Sequence, residues 1–284
     1  MNIRAVLGLS FAGAVAVVGM ALVAGSIRWG SVTSRLAGKL ERSSHPERAQ
    51  ANVVADQYAA LPVPVERYFK YALSPSQKWI YKARLQQNGL IRAAAGADRK
   101  PFTAVQHFLT NPVGFVWDAK SAMMPFLSVS IRDAYVDGVG ASEASIAGLI
   151  SVGKQGGTPQ VASGSLLRYL AESAWIPTAL LPQSGVYWTG IDDTHARATL
   201  NNAGTSVTME VTFAESGQLV RINATRYRDI DGTPVPTPWS GDYTDYQRID
   251  GMMIPTSAEV AWSPPSGRFA VWRSRISAAE YEFR

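Results

Sequence analysis

Charged residues that interrupt apolar segments are the groups of this chain best suited to binding or catalysis. Arg168 and Glu172 are four residues apart in a helical pattern, so both lie on one helix face beside Trp175. They could form a solvated surface pair. They could instead join Asp133 or Asp118 from a strand in a buried network, because a charge without a partner is costly to bury.

The alternation of side chains along a strand separates the two possible acidic partners. Asp133 continues an apolar row and is expected to face the interior, whereas its neighbour Arg132 is expected on the polar face. By the same argument Trp117 is expected inside and Asp118 outside. Asp133 is therefore the better partner for Arg168, and the network would fix the helix over the sheet.

A second cationic group follows further along the chain. Arg226 and Arg228 flank Tyr227, and a run of prolines that ends at Trp239 comes next. Arginines next to aromatic rings would form a basic aromatic rim suited to an anionic head group. Solvated arginines in a loop are the other interpretation.

The sequence patterns of common enzyme and metal-binding classes are missing. The chain has no cysteine and three histidines without the spacing of a zinc site, and it lacks a nucleophile elbow and a phosphate-binding glycine loop. Its net charge of +5 is spread thinly, which does not favour nucleic acid. We therefore expect no metal, no cofactor and no nucleic-acid partner, and we assign no catalytic residue.

The N-terminal segment predicts an association with a membrane. Residues 5–25 contain no charged side chain, and a helix of this length covers roughly 30 Å, the hydrocarbon thickness of a bilayer. Residues 1–27 are therefore interpreted as a single-pass membrane anchor, with a cleaved signal peptide as the alternative. Basic residues just after the segment argue against export of the body.

The rest of the chain divides into a connection and one body. Residues 28–52 are polar and mixed in charge, which predicts a tether. Residues 53–284 predict a single β-rich globular domain, because apolar and polar residues alternate and turn signals recur at hairpin spacing. Two short helices are expected between residues 53 and 73, before the strands begin.

The predicted fold is mainly β with α, a curled antiparallel sheet of about ten strands with one inserted covering helix. The insert covers residues 165–181, with Gly164 and Ser165 as its cap. A sheet of this size tends to curl, so a helix against one face predicts a half-barrel that encloses a cavity.

Several runs of the body resemble a bacterial family that is a domain of unknown function. The longest are RYLAESAWIPTALLP at 168–182 and YQRIDGMMIPTSAEVAW at 246–262, and the shorter ones are LPVPVERYF, GFVWDA, IRDAYVDGVG and HARATL. More remotely, the inserted helix and the late G-x-x-I-P strand are similar to the half-barrel lipoprotein carriers of bacterial envelopes. That similarity implies an apolar concavity that holds acyl chains, in a body outside the cytoplasm.

Three functions remain open. The first is a membrane-anchored protein that binds a lipid or another apolar small molecule in the half-barrel. The second is a structural or protein-interaction module at the membrane surface. The third is an unrecognised hydrolase that uses Asp133 and Glu172 within one cleft. The candidate ligand-binding residues are Trp117, Asp133, Arg168, Glu172, Trp175, Arg226 and Trp239.

Overall fold

One large sheet and three helices account for most of the chain. The computed structural model describes residues 3–42, 52–124 and 127–283. The helices are α1 (Ile3–Arg42), α2 (Val63–Ala72) and α3 (Pro159–Glu172). The strands are β1 (Ile80–Ile91), β2 (Lys100–Leu109), β3 (Gly114–Met124), β4 (Leu127–Val136), β5 (Val139–Ile146), β6 (Ile150–Gly156), β7 (Val186–Gly190), β8 (His195–Asn202), β9 (Thr205–Phe213), β10 (Leu219–Ile230), β11 (Thr233–Ile249), β12 (Met252–Trp262) and β13 (Phe269–Phe283).

The strands form one antiparallel sheet of two meanders. Its order is β6-β5-β4-β3-β2-β1-β13-β12-β11-β10-β9-β8-β7. The first strand of the chain pairs with the last, from Ile80↔Phe283 to Ile91↔Trp272, which joins the meander β1–β6 to the meander β7–β13. α3 connects the two meanders in sequence and lies on the concave face. The predicted half-barrel with a covering helix is confirmed, with 13 strands where about ten were predicted.

The additional strands come from segments without a clean alternation. β6 is exposed along its whole length, so no apolar row marks it. β11 begins with three prolines, Pro234, Pro236 and Pro238. They pair with β10, and the pairing of β11 with β12 starts only after them, at Trp239↔Trp262. Proline is tolerated there because one side of the ladder is open. Arg226 and Arg228 lie on β10, so their interpretation as part of a loop is wrong.

α3 begins and ends earlier than predicted. Its N-cap is Thr158, whose hydroxyl accepts a hydrogen bond from the backbone N–H of Val161. The expected cap at Gly164 and Ser165 is wrong, because both residues lie inside the helix. After Glu172 the chain forms three 3-10 turns, Ser173–Trp175, Pro177–Leu180 and Pro182–Ser184, since proline cannot donate to an α-helical ladder.

The opening helices also differ in part. The second is α2, and its buried side chains are those of Pro64, Val65, Tyr68, Phe69 and Ala72. The first is only a 3-10 turn, Ala55–Gln57.

The predicted tether is wrong for residues 28–42, which continue α1 as a helix on the convex face of the sheet. A narrow stripe of buried residues at helical spacing explains the docking: Trp29, Ala37 and Leu40. Trp29 donates from Nε1 to Asp118 at 3.0 Å, and the guanidinium carbon of Arg132 lies 4.1 Å from the indole ring centroid. Asp118 and Arg132 therefore face outward as predicted, but α1 covers them. Residues 43–51 of the predicted tether lie outside the described residues.

Among the described residues, α1 is the one helix that is long and apolar enough to cross a bilayer. Its exposed apolar side chains ahead of the docked part include Val17, Val18, Met20 and Val23. Signal sequences share this length and composition, so the choice between anchor and signal peptide stays a prediction.

α1 meets the sheet at Gly25, where the two backbones approach closely. A Cβ at Gly25 would lie 2.3 Å from the carbonyl oxygen of Ala147 and 2.6 Å from the side chain of Leu149. Only glycine fits this contact between α1 and the β5–β6 turn.

We expect Gly25→Val to weaken the docking of residues 28–42, because its side chain would overlap the β5–β6 turn. Overlap of this kind costs about 1–3 kcal/mol. Since 1.4 kcal/mol is a factor of ten, amide exchange in the docked segment should become roughly tenfold faster or more. Hydrogen exchange of the full chain in detergent, read by mass spectrometry, measures this. Gly30→Val is the control, because a Cβ there meets nothing within 4 Å. Equal exchange in both variants would contradict the docked position.

Candidate functional site

Two adjoining cavities lie between the concave face of the sheet and α3. The inner cavity has a volume of about 290 Å³, and its wall includes Trp117, Trp175, Trp239, Trp262 and Trp272. The outer cavity has a volume of about 600 Å³, and polar residues of β6, α3 and β10 line it. The two cavities meet at residues that line both of them: Asp133, Ser142, Arg168, Arg226 and Trp262.

A chain of buried hydrogen bonds connects α3 to the strands β1, β2 and β3. Trp117 Nε1 donates to Gln87 Oε1 at 2.8 Å, and Gln87 Nε2 donates to Gln106 Oε1 at 3.1 Å. Gln106 Nε2 in turn donates to Glu172 at 2.7 Å. Polar side chains at these inward positions are tolerated because each finds a partner.

Arg168 extends this chain to β4 and β5. Its guanidinium donates to Glu172 at 2.8 Å and to Asp133 at 2.5 Å, and Asp133 also accepts from Ser142 at 2.6 Å. The side chains of Arg168 and Glu172 are only 12% and 11% exposed. Burial opposes the charge on Arg168, but Glu172 and Asp133 outweigh it and raise the pKa of Arg168. The buried network with Asp133 is confirmed, and the solvated pair is wrong.

Further contacts fix the C-terminal end of α3 above the inner cavity. The guanidinium carbon of Arg168 lies 4.7 Å from the ring centroid of Trp117. The hydroxyl of Tyr243 donates to the carbonyl of Ala171 at 2.9 Å, and the hydroxyl of Tyr281 donates to the carbonyl of Trp175 at 2.8 Å. The helix is therefore held in place by strands from both meanders.

Arg226 has no such partners, although it lies in the same place. Its guanidinium carbon is 5.3 Å from the ring centroid of Trp239 and 5.9 Å from that of Trp262. It makes no hydrogen bond or ion pair with any residue that the structure describes. Burial, together with the charge of Arg168, lowers the pKa of Arg226 to about 10, so the group stays protonated at neutral pH. Arg226 thus presents a cation with unused donors where the cavities meet, not on an exposed rim.

Two tryptophans of the inner cavity also carry unused donors. The indole Nε1 atoms of Trp175 and Trp239 are buried and have no hydrogen-bond partner among the described residues. Leaving a buried donor unpaired costs about 1–3 kcal/mol. An acceptor group inside the cavity could satisfy them.

The structure brings together every residue predicted as a ligand-binding candidate. The inner cavity is lined by Trp117, Asp133, Arg168, Glu172, Trp175, Arg226 and Trp239, and their role in binding stays a prediction. Gln87 and Gln106 were not predicted as site residues, although each replaces an apolar residue in the inward row of its strand. Trp262 and Trp272, which are both half-buried, also line the cavity and were not among the predicted site residues.

We expect Arg168→Met to lower the free energy of unfolding by about 3–5 kcal/mol, because two carboxylates lose their buried cation. Adding Asp133→Asn and Glu172→Gln removes those charges and should recover more than half of the loss. Urea unfolding of the full chain in detergent, followed by tryptophan fluorescence, measures both variants.

The control for this experiment is Arg84→Met. Arg84 is 37% exposed and pairs with Glu280 at 3.0 Å on the surface, so its loss should cost less than Arg168→Met, at most about 1 kcal/mol. Equal losses in the two single variants, or no recovery in the triple variant, would contradict the network.

Solved structures with a related fold are remote from this chain. A LolA-superfamily protein from Nitrosomonas europaea is 13% identical, with a TM-score of 0.41 over 79% of this chain and 96% of that protein. A putative outer membrane lipoprotein-sorting protein domain from Vibrio parahaemolyticus is 8% identical, with a TM-score of 0.38 over 71% of this chain and 86% of that one. No curated protein is a significant match.

The family of the chain is defined by its sequence. The model of a family of unknown function, DUF6920, matches residues 59–281. This range contains α2, α3, both cavities and all of the candidate residues above. The chain therefore belongs to the DUF6920 family.

Proposed function

We propose that this protein binds a lipid or another apolar ligand whose head group is anionic, and that α1 holds it at a membrane. The observation that carries the proposal is the junction of the two cavities. There Arg226, a cation without a hydrogen-bonding partner among the described residues, borders a tryptophan-lined cavity on one side and a polar cavity on the other. An amphiphile matches this arrangement, because its apolar part fits the tryptophan-lined cavity and its charged head group fits the junction at Arg226.

Each part of the ligand would meet a matching surface. An alkyl chain in the inner cavity would gain about 0.8 kcal/mol for each methylene removed from water. A carboxylate or phosphate at the junction would accept charge-assisted hydrogen bonds from Arg226. The network around Arg168 would hold the walls in place before the ligand arrives, which lowers the entropic cost of binding.

The course of α1 supports residues 5–25 as an anchor rather than a cleaved signal. α1 continues without a break from the apolar segment into residues 28–42, which dock on the sheet through Trp29 and Leu40. Cleavage near residue 25 would cut this helix at its contact with the β5–β6 turn. We place the body outside the cytoplasm, as the resemblance to envelope carriers implies.

The other two functions stay predictions. A protein partner could add a strand to β6, because this edge strand is exposed over its whole length. The hydrolase hypothesis required Asp133 and Glu172 to share a cleft, and both bind Arg168. Each carboxylate already accepts hydrogen bonds from two side chains, which favours a structural role for the pair.

Filling the inner cavity should prevent the acyl chain of a ligand from binding. We expect Ala258→Phe, on the cavity wall, to reduce labelling of the full chain by a diazirine-bearing palmitic acid in detergent by at least about tenfold, or 1.4 kcal/mol. Tandem mass spectrometry locates the labelled residues, which should line the inner cavity in the wild type. Ser257→Phe is the control, because the neighbouring side chain points to the other face of β12. Labelling that is equal in the two variants would rule out the inner cavity as the site.

Removing the charge of Arg226 should weaken the binding of anionic ligands more than that of uncharged ones. We expect Arg226→Gln to weaken labelling by the palmitic acid roughly tenfold or more, since hydrogen bonds to a charged group contribute about 1.5–3 kcal/mol. Labelling by the corresponding uncharged alcohol should change much less. Arg221→Gln is the control, because Arg221 is on the same strand but is 43% exposed and pairs with Asp242. An equal effect of Arg226→Gln on both probes would refute recognition of an anion.

A further inference from the structure

Two turns of the first meander and the adjoining ends of β3 and β4 lie at one end of the sheet. Pairing across β1 to β5 aligns one residue from each strand: Gly89, Phe102, Ser121, Val129 and Ile146. The β1–β2 and β5–β6 turns lie just beyond this row, as do the end of β3 at Met124 and the start of β4 at Leu127. We call this the tip end of the half-barrel. The β2–β3 and β4–β5 turns lie at the opposite end of the same strands.

The apolar N-terminal segment of α1 leaves the sheet at the tip end. Gly25 contacts Ala147 in the β5–β6 turn, and Leu40 lies beside Gly114, where β3 begins at the opposite end. The helix therefore runs along the sheet, and the residues ahead of Gly25 project beyond the tip end. Because residues 5–25 are those proposed to cross the bilayer, the membrane surface would meet the body at the tip end.

Exposed apolar side chains gather at the same end. The exposed fractions are 45% for Met123, 60% for Met124, 42% for Leu149 and 63% for Ile150. Single exposed apolar residues are common, but Met123 and Met124 end β3, and Leu149 and Ile150 belong to the β5–β6 turn and the start of β6, next to Gly25. Such a cluster is unfavourable in water and favourable at the boundary between lipid head groups and acyl chains.

The inner cavity reaches the tip end as well. Its wall includes Ile91, Arg92 and Ala93, which end β1 and enter the β1–β2 turn. Ile91 pairs with Lys100 and lies beyond the aligned row, on the side of the turns. One part of the cavity wall is thus at the level where the bilayer surface is expected.

We infer that the tip end of the half-barrel rests in the membrane interface and that the ligand passes between the bilayer and the inner cavity at this end. The passage of a ligand rests on the proposed binding of a lipid, and the membrane contact rests on the proposed role of α1 as an anchor. A lipid that entered in this way would keep its acyl chain out of water, and its head group would follow toward Arg226.

The absence of cysteine from the chain allows a direct test of the membrane contact. Met124→Cys and Ile150→Cys report on the tip end, and Val139→Cys is the matched control. Val139 is 54% exposed, at the opposite end of β5 from Ile146, roughly 23 Å away along an antiparallel strand. Each full-length variant carries an environment-sensitive nitrobenzoxadiazole label and is reconstituted in phosphatidylcholine and phosphatidylglycerol liposomes.

We expect the labels at 124 and 150 to emit at shorter wavelength and to be quenched by spin-labelled phospholipid. The label at 139 should be quenched by aqueous iodide instead. Iodide quenching that is equal at all three positions would overturn the membrane contact. Unchanged thermal unfolding of each labelled variant verifies that it is folded.

The passage of the ligand needs a second measurement. Met124→Asp combined with Ile150→Asp should reduce labelling by the diazirine-bearing palmitic acid severalfold in liposomes. The two added carboxylates would move the tip end out of the membrane interface. In detergent the same double variant should label like the wild type, which keeps the proposed binding function separate from this inference. Val139→Asp should change neither. Unchanged labelling in liposomes would overturn entry at the tip end. An equal loss of labelling in detergent would also overturn it, because the effect would then not depend on the membrane.

Discussion

The buried guanidinium of Arg168 constrains the whole half-barrel, because it must reach two carboxylates on different elements. Asp133 belongs to β4 and Glu172 to α3, so the helix is fixed to the sheet at a set distance and orientation. Separating these charges in the interior would leave an unpaired group at high cost. The glutamine pair and Trp117 carry the same polar chain on to β1 and β2. Arg168 and Glu172 line the inner cavity together with the tryptophans of the sheet, so the network forms part of the cavity wall.

The two faces of the sheet are covered in different ways. On the concave face α3 buries an apolar row together with the network. On the convex face the polar row of β3 and β4 lies under α1, and the charges there are paired: Asp118 accepts from Trp29, and Arg132 binds Glu143 at 2.6 Å. The same strands therefore position the site inside and the N-terminal helix outside. Because α1 and the site share β3 and β4, the position of the apolar segment of α1 is fixed relative to the inner cavity.

The sequence was sufficient for the general fold and for the composition of the site, because both follow from local patterns. Alternation placed Trp117 and Asp133 inside, and helical spacing placed Arg168 beside Glu172. The sequence was insufficient where a tertiary contact decides the outcome. Residues 28–42 have too few large side chains to predict a docked helix, and β6 has no buried face. The buried glutamines could have been recognised as polar residues in apolar rows, but their partners lie on other strands, whose register is not visible in one sequence.

The claim that the inner cavity holds an amphiphile can be tested most directly by native mass spectrometry of the full chain released from detergent, before and after extraction with organic solvent. Excess palmitate is added to a second sample, so that a ligand lost in purification is replaced. We expect a species heavier than the polypeptide by the mass of one acyl-chain molecule, and we expect extraction to remove this added mass. A spectrum of bare polypeptide in both samples would contradict it.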